Sequence, residues 1–206
     1  MQNKRFKYRY LLLLLLLSVV PQLQAKTIMV LGDSLSAGYG ISAQQGWVAL
    51  LDQRLQQQYP KKHRVVNASV SGETTSGALA RLPKLLTTHK PNLVVIELGG
   101  NDGLRGQPPQ LIEKNLTQLV TLSKNSNAKV ILLGMKMPPN YGSAYQTAFE
   151  KSFKNVSQKQ NIKLQPFFLN GVAGIRDLMQ KDQIHPNAKA QPILLNNAYP
   201  YIKGAL

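Results

Sequence analysis

Beyond its first 25 residues the chain alternates short, almost wholly apolar runs with longer stretches whose apolar side chains recur at helical spacing. The runs at 27–31, 64–68, 93–98, 129–135 and 163–168 have the length and the Val/Ile/Leu content of strands. They are apolar nearly throughout rather than at every second position, which predicts strands covered on both faces of a parallel sheet. Between the first two runs, Val48, Leu51, Leu55 and Tyr59 form one stripe while Asp52, Arg54 and Gln56 take the other side, so residues 47–59 are predicted helical. Pro60 ends that helix. The same spacing predicts helices at 76–88, 110–123, 145–160 and 188–199, with Trp47, Phe149, Phe153 and Met135 in the core. This strand–helix rhythm predicts an α/β fold, a three-layer α/β/α sandwich with a central, mainly parallel five-stranded sheet.

The first 25 residues follow a different pattern. Lys4, Arg5, Lys7 and Arg9 precede an apolar stretch at 11–20, which Pro21, Gln22 and Gln24 interrupt before it reaches the ~20 residues of a spanning helix. That is the layout of a secretory signal peptide, with cleavage expected after Ala25. A single domain of residues 26–206 would remain, delivered to the periplasm or secreted. There is no cysteine, which excludes a disulfide framework, a thiol nucleophile and a lipid-modified anchor.

Charge narrows the partners less than it first suggests. The formal net charge is +16, and +12 without the four cations of the leader. Apart from Lys61-Lys62-His63-Arg64 the Lys and Arg residues are scattered, with no nucleic-acid-binding motif, so no nucleic-acid partner is expected. Peripheral contact with anionic lipid suits an exported basic protein better. A monomer is expected.

The chemistry-bearing residues lie in the segments that follow the strands, where an open parallel sheet binds its ligands. After the first strand comes Gly32-Asp33-Ser34, after the second Ser71-Gly72-Glu73, after the third Gly99-Gly100-Asn101-Asp102, and before the last helix Asp182-Gln183-Ile184-His185-Pro186. A serine hydroxyl needs a neighbouring base to become a nucleophile, and an imidazole oriented by a carboxylate serves near neutral pH. Pro186 pushes His185 toward an extended, loop-like conformation. Asp182, three residues earlier, can then reach Nδ1 and leave Nε2 for Ser34. Donors for a developing oxyanion are available from the Ser34 and Gly72 backbone N–H groups and from the Asn101 amide.

These four ordered blocks, with the longer stretches "GDSLSAGYG", "VVNASVSGETTSGALARLP", "ELGGNDGLRG" and "IHPNAKAQP", resemble the SGNH, or GDSL, hydrolase superfamily over the whole chain beyond the leader. The resemblance implies a flavodoxin-like sandwich and a serine hydrolase of carboxylic esters and thioesters, acting on acyl and aryl esters, acyl-CoA or lysophospholipids. It implies Ser34 as nucleophile, Asp182 and His185 as the other triad members, and Gly72 and Asn101 as oxyanion donors. It departs from the family pattern at Glu73, where Asp is common, and at Gln183, where a small residue is frequent. A mobile substrate loop in the family corresponds to the stretch from Gly103 to Pro109. Leu104 and Pro108 there, Met137 and Tyr141 in the fourth connection, and Ile184 beside the histidine are expected to line the acyl groove.

Other residues receive plainer readings. Asp33 and Asp102 are expected to hold their loops by hydrogen bonds to backbone N–H groups, and His63 and His89 to be surface histidines. No cofactor is required by the chemistry and no metal-ligand pattern is present. The stretch Gly32–Ser36 lacks the second glycine of the α/β-hydrolase elbow, and Gly38-Tyr39-Gly40 completes no nucleotide-binding motif. Two rival functions are a carbohydrate O-acetylesterase using the same triad and a non-catalytic exported lipid- or glycan-binding module.

Overall fold

A computed structural model describes residues 25–206; the predicted leader, except for Ala25, lies outside the described residues. Five strands form on the apolar runs: β1 (Lys26–Gly32), β2 (His63–Asn67), β3 (Leu93–Glu97), β4 (Lys129–Leu133) and β5 (Lys163–Gln165). All four neighbouring pairs are parallel, in the order β2-β1-β3-β4-β5. Helices follow in chain order as α1 (Ser34–Ala37), α2 (Trp47–Gln58), α3 (Thr75–His89), α4 (Gly100–Leu104), α5 (Pro109–Asn125), α6 (Ser143–Gln160) and α7 (Gln191–Lys203). α2 packs with α7, while α3, α5 and α6 pack in a row, giving the two outer layers. The strands are apolar on both faces because both faces are covered: Ile28 to Leu31, Val94 to Ile96 and Ile131 to Leu133 are completely buried. Trp47, Phe149, Phe153 and Phe168 fill the spaces between sheet and helices.

β1 is flanked by β2 on one side and β3 on the other, so the first crossover runs to one side of it and the second, from β2, crosses back to the other. A crevice opens at the carboxyl ends of strands where the winding reverses. The segments following β1 and β3, which carry Ser34 and Asn101, therefore meet there.

Several boundaries moved for identifiable reasons. β5 stops at Gln165 because Pro166 has no N–H to give the ladder. β4 stops at Leu133; Gly134 continues the contact by donating to the Gln165 carbonyl at 2.7 Å and accepting from Phe168 N–H at 2.8 Å. The predicted last helix is split into a 3-10 turn at Ala188–Ala190, capped by the Asn187 side chain on Lys189 N–H at 2.9 Å, and α7, with Pro192 in its first turn. The four-residue α1 and five-residue α4 are too short to show a stripe in the sequence. His63, expected on the surface, is buried as the first residue of β2, its ring edge-on to Tyr59. Burial and the charges of Lys26 and Lys62 pull its pKa below the ordinary histidine value.

Candidate active site

The turn out of β1 is built by its small and polar residues. A Cβ on Gly32 would lie 2.7 Å from Ser36 and 2.8 Å from a Glu97 oxygen, so only glycine lets this strand end sit over them. Asp33 caps α1, accepting the Leu35 N–H at 3.0 Å, and Gly38 closes the helix in the left-handed region at φ 75°. Ser34 is thereby placed as the first helical residue above the sheet, almost buried.

His185 reaches it from the long connection between β5 and α7. Its Nε2 lies 3.0 Å from Ser34 Oγ, across 151 residues of sequence, and its Nδ1 lies 2.7 Å from Asp182 Oδ2. The other Asp182 oxygen accepts the N–H groups of Ile184 at 2.9 Å and His185 at 3.0 Å, which closes a tight turn between acid and base. Gln183 inside that turn has φ 58°, a left-handed conformation that explains why a small residue suits the position. The segment is secured by a bridge between Met179 and Pro186 and by Gln180 N–H donating to the His185 carbonyl at 2.7 Å. The backbone and side-chain N–H groups of His185, with the Ile184 N–H, draw the Asp182 pKa down to about 2, so this carboxylate is ionised wherever the imidazole is useful.

Beneath the serine the electrostatics run the other way. Glu97 at the end of β3 is fully buried, accepting the Ser36 hydroxyl at 2.6 Å, and Trp47 Nε1–H donates to the same hydroxyl at 3.1 Å. Burial, aided by the Asp33 carboxyl nearby, pushes the Glu97 pKa well above the usual carboxylate range. Burial likewise pushes Asp33 up to about 6, against the opposing pull of the Leu35 N–H and the Asn101 amide. These two carboxyl groups form the floor under Ser34.

Gly72 and Asn101 lie in the segments after β2 and β3, and Asn101 is hydrogen-bonded to Asp33 next to Ser34. Gly72 has φ 78°, and no atom would crowd a Cβ there, so conformation rather than space calls for glycine. Neither Ser34 N–H nor Gly72 N–H has a hydrogen-bond partner among the described residues. The Asn101 amide is occupied: Nδ2 donates to Asp33 Oδ2 at 3.1 Å and to the Glu73 carbonyl at 3.0 Å. Asp102 anchors the adjacent segment by accepting Thr75 N–H at 2.9 Å and Thr75 Oγ1–H at 2.6 Å. Both aspartates therefore hold loops. The Arg105 guanidinium donates to the Gly72 carbonyl at 3.2 Å and ties the second and third connections together.

The residues expected to line a groove are distributed unevenly. Leu104, Pro108 and Ile184 are exposed at the same end of the sheet, and the half-buried Tyr141 donates its hydroxyl to the Leu104 carbonyl at 2.9 Å. Met137 is placed otherwise: it is buried, with its thioether packed under Gly103 and Phe149 alongside, so it supports the loop instead of presenting a surface. Sequence reading passed over two neighbours of His185. The Tyr39 ring lies 4.5 Å from the His185 ring, and Gln180 Nε2–H donates to the Tyr39 carbonyl at 2.7 Å. An aromatic set between Gly38 and Gly40 was a usable signal for the first; nothing local marked the second. Among the described residues, no group of three His, Cys, Asp or Glu could hold a metal ion.

Comparison with known proteins points to one family. A family model described as GDSL-like lipase/acylhydrolase matches residues 30–192. Esterase TesA of Pseudomonas aeruginosa is 49% identical over 193 residues, covering 94% of this chain and 96% of its own. Thioesterase 1/protease 1/lysophospholipase L1 of Escherichia coli K12 is 43% identical over 192 residues, covering 93% of this chain and 90% of its own. The crystal structure of the psychrotrophic esterase EstA from Pseudoalteromonas sp., inhibited by monoethylphosphonate, superposes with a TM-score of 0.83 at 46% identity, covering 87% of this chain and 97% of that one.

Proposed function

The chain belongs to the GDSL-like lipase/acylhydrolase family, and on that premise we propose that Ser34, His185 and Asp182 carry out its hydrolysis of carboxylic esters and thioesters. It is an SGNH serine esterase. The observation that supports the assignment of roles is the continuous line from Asp182 through both imidazole nitrogens to Ser34 Oγ.

In the proposed cycle His185 Nε2 takes the Ser34 proton as Oγ attacks the acyl carbonyl. The tetrahedral oxygen receives the free N–H groups of Ser34 and Gly72. Asn101 completes the set by giving the oxyanion the N–H that the Glu73 carbonyl holds at rest. One such donor is worth about 3–4 kcal/mol of barrier. His185 then protonates the departing alcohol or thiol, and the acyl group stays on Ser34 until water, deprotonated by the same nitrogen, releases the acid. Asp182 keeps the proton on Nδ1 throughout and stabilises the imidazolium.

Substrates proposed for the site are acyl and aryl esters, acyl thioesters and lysophospholipids, with Leu104, Pro108, Tyr141 and Ile184 meeting the acyl chain. The leader expected over residues 1–25 would place the enzyme in the periplasm or outside the cell. The test is hydrolysis of p-nitrophenyl esters from acetate to palmitate by residues 26–206 and by its Ser34→Ala form, without added metal. Activity that disappears in the folded variant supports the reading. Equal activity in both forms would remove Ser34 from the mechanism, and turnover confined to acetyl groups would favour an O-acetylesterase.

A further inference from the structure

The large apolar side chains that the described residues leave exposed are six, Tyr39, Val70, Leu104, Leu111, Ile175 and Ile184, each 37 to 52% exposed, and all fall in segments that follow strands or in the first turn of the helix after one. Tyr39 follows β1, Val70 follows β2, Leu104 follows β3, Leu111 sits in the first turn of α5, and Ile175 and Ile184 follow β5. In a parallel sheet the segments that follow strands start at the carboxyl edge, and the Met179–Pro186 bridge draws the Ile175 segment toward His185. The connections at the other edge, and the outer faces of the helices beyond that first turn, contribute none. Scattered exposed apolar residues are ordinary, but a set confined to one rim marks an interaction surface.

Part of that rim adjoins Ser34, His185 and Asp182. Tyr39 lies against the His185 ring, Ile184 precedes it in sequence, and Val70 is two residues from Gly72. Exposed charged side chains in the same segments include Arg105, Lys114, Arg176, Lys181 and Lys189 against Asp177 and Asp182. They form part of a net charge of +12 over residues 26–206. An apolar ring with a cationic excess complements an assembly of acyl chains under anionic head groups.

We infer that this rim docks the enzyme on an anionic lipid surface, so that a lipid ester passes from the assembly to Ser34 without first crossing water. The inference rests on the esterase reading and names the phase in which its substrate is presented.

The test uses Val70→Ser, Leu111→Ser and Ile175→Ser combined, three rim positions outside the triad, oxyanion and groove residues. Parent and variant are compared by flotation with vesicles of equimolar phosphatidylglycerol and phosphatidylcholine, and by hydrolysis of soluble p-nitrophenyl acetate. The variant should bind vesicles at least tenfold more weakly, lose rate on lysophospholipid above its micelle concentration, and keep the parent's kcat/KM on the acetate ester. Equal vesicle binding by both proteins, or none by the parent, overturns the docking. So does parent self-association that the triple variant abolishes, which would make the rim a contact between copies. Failure of the parent on the soluble ester would instead count against the esterase reading, independently of the vesicle result.

Discussion

Replacing Asp182 by Asn should damage the enzyme more than replacing it by Ala, although Asn is the closer mimic. In the native turn one Asp182 oxygen accepts two backbone N–H groups at 2.9 and 3.0 Å, and the other faces His185 Nδ1 at 2.7 Å. An Asn amide keeps its carbonyl on the two backbone donors and so must present its NH2 to Nδ1. Nδ1 then has to accept, the ring proton moves to Nε2, and the nitrogen 3.0 Å from Ser34 can no longer take its proton. Alanine removes the support but leaves Nδ1 free to donate to water in the useful tautomer. A hydrogen bond to a charged group is worth about 1.5–3 kcal/mol. Because the Asp182 side chain is 37% exposed, water replaces part of that, and Asp182→Ala should lose on the order of 10–100-fold in kcat/KM. The tautomer trap adds to this, for a total of about 10³–10⁴-fold in Asp182→Asn. The assay is kcat/KM on p-nitrophenyl butyrate for the parent and both variants at one pH. An Asn form as active as the Ala form, or more so, would refute the orientation argument.

Asn101→Ala should lower kcat by ~10²–10³ with little change in KM, since the amide is recruited only as the oxyanion forms; a change confined to KM, measured on the same ester, would count against that role. Glu97 keeps in the native state a proton that the unfolded chain releases above pH 4.5. Its contribution to stability is therefore complete below pH 4.5 and declines as pH rises toward the raised native value. Glu97→Gln, which cannot ionise, should gain on the parent in urea melts as pH rises above 4.5, and a constant difference between the two proteins would mean that Glu97 does not titrate in this way. Asp182 has the opposite sign: its stabilisation is full above pH 3.8 and is lost as pH falls toward 2, so acid melts of Asp182→Ala should converge on the parent there. Gly99→Ala should destabilise by about 1–3 kcal/mol, because its φ of 105° suits glycine and the new Cβ would come within 3.0 Å of Phe153; a melt unchanged by the substitution would contradict this.

The parallel sheet was legible because burial on both faces leaves a physical trace, the continuous apolar run, and the long crossovers leave another, the helical stripe in α2 and α5. α1 and α4 leave neither, being shorter than two turns, yet they set the position of Ser34 and Asn101. The hydrogen-bonded line from Asp182 through His185 to Ser34 was legible through chemistry rather than periodicity: Pro186 favours an extended His185, and a three-residue spacing lets Asp182 close the turn. Tertiary packing decided what the sequence left open. Met137 was expected in the groove wall because its segment, ending at Tyr141, follows β4, but the missing side chain at Gly103 lets its thioether sink beneath the loop. His63 lies in a cationic stretch that suggests a surface, and its neighbour Tyr59 covers it. Glu97 could have been suspected, as an acid inside the apolar stretch Leu93–Leu98, although its bond to Ser36 depends on the pairing of β1 with β3.

The central claim is that Ser34 is the one activated hydroxyl, and reaction with a fluorophosphonate followed by intact-mass and peptide analysis tests it most directly. Displacement of fluoride by Oγ should leave a single adduct per chain on the peptide containing Ser34, absent from Ser34→Ala and strongly slowed in His185→Ala. An adduct on another residue, or one that persists in Ser34→Ala, would contradict the account.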